Sequence, residues 1–64
     1  MKPNLERINY EMDRQKLTVR ELANLSGISH QLIYELKSGK ENTSLATLDA
    51  IAKALNIEPK DLII

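Results

Sequence analysis

Apolar residues recur at helical spacings along the whole chain, and five helices follow from the pattern. Leu5, Ile8 and Met12 keep steps of three and four through the polar stretch ERINYEMDRQ, with Pro3 suited to the opening turn. Val19, Leu22 and Ala23 give a second helix one apolar stripe, and Thr18 with Glu21 forms a capping box at its start. Gly27 follows Ser26 where this helix must stop, because glycine takes a left-handed backbone at little cost. Ser29 then caps a third helix, about residues 30–37, whose buried side is Ile33 and Leu36, with Ile28 just before it and Leu32 expected to be buried. Ser44 caps the clearest helix, striped by Leu45, Leu48, Ile51, Ala52 and Leu55 and broken at Asn56. Pro59 starts a last short helix, PKDLI, in which Leu62 closes the core. Ile63 and Ile64 are left as an exposed apolar tail, suited to a subunit contact or to a chain cut from something longer.

The stretch from Thr18 to Lys37, helix, glycine-containing turn, helix, has the spacing of a helix-turn-helix. Spacing alone leaves two readings open: a DNA-binding element, or an αα corner in a small bundle. The ordered set Leu17-Thr18, Glu21-Leu22-Ala23, Gly27-Ile28-Ser29, Ile33 and Gly39, then Ser44-Leu45, Leu48, Ile51-Ala52 and Leu55, resembles the phage repressor and Cro (XRE-like) helix-turn-helix family. The resemblance covers about residues 5–62. It implies an all-α, five-helix, lambda-repressor-like DNA-binding domain with the helix-turn-helix at helices 2–3, occupying residues 1–64 as one domain. It further implies a sequence-specific regulator of transcription, expected to be a repressor, whose third helix enters the major groove.

The resemblance assigns base reading to the outward face of helix 3: His30, Gln31 and Glu35, with Tyr34 at the edge. The residue types suit that work. Gln31 can bond adenine in bidentate fashion, Glu35 can accept from a cytosine amino group, and His30 can donate or accept at a base edge or phosphate. The plainer alternative is that all four form a polar helix surface. Backbone contacts fall to Thr18, Val19, Arg20, Ser29, Lys40, Asn42 and Thr43. Relatives commonly carry Gln where Val19 stands, so one phosphate contact is in doubt, although helix-start N–H groups still favour an anion. Arg20 is placed to compensate, or is a plain surface arginine. Lys37 stands where many relatives have Glu, and Glu41 weakens the loop's hold on phosphate.

Charge does not favour the DNA reading. Nine Lys and Arg balance nine Asp and Glu, and residues 1–41 carry a net of only +1. Many DNA-binding domains are basic, so strong non-specific binding is not expected here. A protein-interaction module on the same fold, antitoxin-like or an adaptor subunit, is the rival reading. Arg7, Arg14 and Lys16 lie among Glu6, Glu11 and Asp13, and most of these charges are expected on a solvated face. Tyr10, off the stripe, reads as a partly exposed packing residue.

Composition narrows the rest. Sixty-four residues bury only about 60% of the surface their unfolded chain exposes, so the core must be small. The chain has no cysteine, and His30 is its one histidine, so neither a disulfide framework nor a thiolate metal site is available. No cofactor is expected, and no enzyme: there is no nucleophile–base pairing and no phosphate-cradling glycine loop. The absence of a signal-peptide pattern and of any long apolar run points to a soluble, cytoplasmic protein. The expected partners are a double-stranded DNA operator and a second copy of the chain, at least on DNA.

Overall fold

The computed structural model describes residues 2–39 and 43–64. Four α-helices, α1 (Leu5–Gln15), α2 (Val19–Ser26), α3 (His30–Lys37) and α4 (Leu45–Leu55), are followed by one 3₁₀ turn, Pro59–Leu62. Among the described residues the expected five helices are therefore four and a single tight turn. In that turn Asp61 N–H donates to the Glu58 carbonyl at 2.9 Å, an i→i+3 bond, and four residues leave no room for the wider α ladder.

Every α-helix opens on a side-chain oxygen that satisfies one of its free N–H groups. Asn4 accepts from Arg7 N–H at 3.2 Å, Ser29 from Leu32 N–H at 3.2 Å and Ser44 from Thr47 N–H at 3.2 Å. Thr18 Oγ1 accepts from Glu21 N–H at 3.1 Å while Thr18 N–H donates to Glu21 Oε1 at 2.9 Å, which completes the capping box. Asn4, not Pro3, starts α1. Pro3 lies outside the helix, in an antiparallel bridge with Ile63. Three helices end on a left-handed residue: Lys16 (φ 56°), Gly27 (φ 73°) and Asn56 (φ 62°). After Lys16 and Asn56 the chain closes in the same way, with Leu17 N–H on the Met12 carbonyl at 2.8 Å and Ile57 N–H on the Ala52 carbonyl at 3.0 Å.

The core takes Ile8 and Met12 from α1, Leu22 from α2, Ile33 and Leu36 from α3, Leu48, Ile51, Ala52 and Leu55 from α4, and Leu62. α4 lies against α2 and the terminal turn, α2 packs on α3, and α1 on the terminal turn. Leu45 departs from its stripe. As the first residue of α4 it is 51% exposed. Leu32 is half-buried and Tyr10 exposed. Ile63 also departs from the expected free tail, since it is half-buried against the core, whereas Ile64 is exposed. Asn4 N–H donates to the Leu62 carbonyl at 2.8 Å and Ile64 N–H to the Lys2 carbonyl at 3.0 Å, so the two end segments clasp each other.

Glu11 is the main departure from the expected solvated face. It is buried, and Arg7 Nε donates to Oε2 at 3.1 Å, while Arg14 Nη2 at 2.7 Å, Arg14 Nε at 3.0 Å and Gln15 Nε2 at 3.2 Å converge on Oε1. Gln15 Nε2 also donates to the Leu55 carbonyl at 2.8 Å, joining this cluster to the end of α4. The Arg14 guanidinium holds the Glu11 carboxyl below its ordinary value of 4.5, against the opposing effect of burial. No helix among the described residues is long and apolar enough to cross a membrane.

Candidate DNA-binding surface

The α2–α3 pair is set by the core beneath it. Leu22, Ile33 and Leu36 are buried, Val19, Ala23 and Ile28 pack half-buried around them, and the left-handed Gly27 turns the chain between the helices. With Ile33 and Leu36 held inward, the 3.6-residue period turns His30, Gln31 and Tyr34 to solvent. His30 and Tyr34, one turn apart, meet edge to face with ring centroids 6.3 Å apart. Glu35, on the same helix, is half-buried, and its backbone carbonyl accepts from the Ser38 hydroxyl at 2.6 Å.

The other candidate positions are spread around this face. Ser29 is exposed at the start of α3, with its hydroxyl committed to the cap. Thr18 is exposed at the start of α2, where its hydroxyl and N–H are both taken by the capping box. That box also places the Glu21 carboxylate at the helix start, so a phosphate approaching there meets an anion already in place. Val19 is half-buried and offers only its backbone. Arg20 is exposed and lines a shallow open cleft of ≈ 380 Å³ with Ala23, Asn24 and His30. Thr43 is half-buried just ahead of α4. Lys40 and Asn42, with Glu41, lie outside the described residues.

Asn24 was not among the sequence candidates. Its signal was its place four residues after Arg20, which puts the two on one face of α2. Among the described residues no group of three or more His, Asp or Glu side chains is placed to hold a metal ion.

An exposed polar helix, joined through a left-handed glycine to a capped partner helix, makes α2 and α3 a helix-turn-helix. Residues 7–64 match the profile of the Cro/C1-type HTH DNA-binding domain, and the chain belongs to that family. The crystal structure of the restriction-modification controller protein C.AhdI from Aeromonas hydrophila is similar, with a TM-score of 0.81 and 30% sequence identity. That alignment covers 89% of this chain and 86% of the controller protein. No curated protein sequence matches the chain.

Proposed function

We propose that this protein is a sequence-specific repressor that inserts α3 into the major groove of operator DNA. The observation that carries the reading is the two-sided character of α3: Ile33 and Leu36 are buried while His30, Gln31 and Tyr34 face solvent, within the Cro/C1-type fold. A helix held by its apolar side presents the opposite side as a rigid set of donors and acceptors, which base reading requires. In this reading Gln31, Glu35 and His30 contact base edges. Thr18, Val19, Arg20, Ser29, Lys40, Asn42 and Thr43 position the sugar–phosphate backbone.

The functional unit on DNA is a homodimer. The longest dimension of one copy is 25 Å, less than the roughly 34 Å between equivalent points on successive turns of duplex. Two copies related by a two-fold axis would read two half-sites on one face, and the protein would act in the cytoplasm, where bacterial-type operators are found. Selection of bound sequences from a random duplex pool tests the whole reading. A palindromic consensus is the expected result, and enrichment of no sequence over the starting pool refutes it.

A protein-interaction role on the same fold is the competing reading. Zero net charge, the Glu21 carboxylate at the start of α2, and the exposed Leu25 and Leu45 favour it. Titration with duplex at low and moderate salt separates the two, because an interaction module would bind no duplex in either condition.

A further inference from the structure

Reading a base edge requires a side chain that is exposed and also held still. His30 meets the first condition, being exposed at the first position of α3. For the second, its surroundings offer little. Arg20, Ala23 and Asn24 form the wall of an open cleft beside it, and among the described residues no hydrogen bond reaches the imidazole. Among the described residues its ring contact is with Tyr34, whose ring stands at 89° to the imidazole with centroids 6.3 Å apart. Edge-to-face pairs at this separation are attractive because the positive edge of one ring meets the negative face of the other. Tyr34 is itself 57% exposed, so its ring is not needed to fill the core.

We propose that Tyr34 is a positioning residue: its ring, not its hydroxyl, fixes the orientation in which His30 meets DNA. The inference rests on α3 being the reading helix and adds the residue on which the discrimination made by His30 depends. The physical gain is preorganisation. An imidazole already confined to one orientation loses less freedom on docking and presents its donor and acceptor to one base pair in preference to others.

The test uses the operator selected above and a set of single-base variants of it. His30→Ala identifies the base pair His30 discriminates. Tyr34→Leu, which keeps an apolar side chain but removes the ring, should lose about three- to tenfold of the discrimination at that same pair. Tyr34→Phe should restore it, and the Tyr34→Leu/His30→Ala double variant should discriminate no worse than His30→Ala alone. Additive losses in the double variant overturn the proposal. So does a Tyr34→Phe protein as impaired as Tyr34→Leu, since the hydroxyl would then be the contacting group. The ring pair is checked separately in the free protein, where Tyr34→Leu should shift the imidazole proton resonances by removing the tyrosine ring current. Unchanged resonances overturn the proposal while leaving DNA recognition by α3 intact. A protein that bound no duplex but showed the shift would instead remove the reading on which the proposal rests, and the proposal with it.

Discussion

At the scale of single residues, Glu11 is where charge and burial meet. Its carboxylate is out of water but accepts from Arg7, Arg14 and Gln15, so the ion is kept by donors rather than neutralised. Its pKa is lowered in the folded state, so Glu11 stabilises the fold above its unfolded value of 4.5. That contribution is lost as pH falls through the depressed value. Urea midpoints measured between about pH 6 and pH 3 should therefore fall with acidification in the wild type, and less steeply in Glu11→Gln. The residue was legible in position but not in identity. It stands three residues after Ile8 and just before Met12, on the buried side of α1, yet its charge in a charge-rich stretch suggested solvent. Gly27 shows the opposite case, in which identity alone sufficed. A Cβ built there meets nothing within 4 Å, so its cost is backbone strain at φ 73° and not a clash. Gly27→Ala should cost about 1–2 kcal/mol in chemical denaturation, and Gly27→Asn less, since asparagine tolerates this conformation. Lys16, left-handed without being glycine, should respond in the other direction, with Lys16→Gly stabilising by up to about 1 kcal/mol.

Helices are the scale at which the chain was easiest to read. Thr18, Ser29 and Ser44 each precede an apolar stripe, and each accepts the N–H expected of a cap. The stripes of α3 and α4 hold at Ile33, Leu36, Leu48, Ile51, Ala52 and Leu55. They fail at Leu45, the first residue of α4, which is exposed. Leu48→Ala, at a fully buried position in the core, should cost about 2–5 kcal/mol, a large share of the stability of so small a fold. On the outward side of α3 the expected effects concern DNA and not stability. Gln31→Ala should lose about 1–3 kcal/mol of discrimination at one base pair and leave non-specific binding nearly unchanged. Lys40→Ala should weaken all duplexes alike and reduce the log–log salt slope by about one unit. Identical profiles for these two variants across a set of operator mutants would defeat the proposed division between base reading and backbone positioning. Glu35→Ala separates a cytosine contact from a mere repulsive charge: the first predicts loss at one base pair, the second tighter binding to every sequence.

For the whole molecule, the balance of nine basic and nine acidic groups leaves little bulk attraction to duplex, so shape and local contacts carry more of any binding. On a saturated operator, nuclease footprinting should show two protected half-sites about 34 Å apart, and protection of a single half-site would count against the dimer. The end segments were the least legible part of the fold. Pairing between Lys2–Asn4 and Leu62–Ile64 is a contact between distant parts of the sequence, and neither stretch carries a periodicity that announces it. Their clasp has a consequence for how the protein opens. The bond from Asn4 Nδ2 to the Asp61 carbonyl spans 57 positions, so the clasp ties together segments far apart in the sequence. In native-state hydrogen exchange its two main-chain bonds should then part company. The Asn4 amide, bonded to the carbonyl of the fully buried Leu62, should exchange only through global unfolding, whereas the amide of the exposed Ile64 should exchange through local opening orders of magnitude sooner.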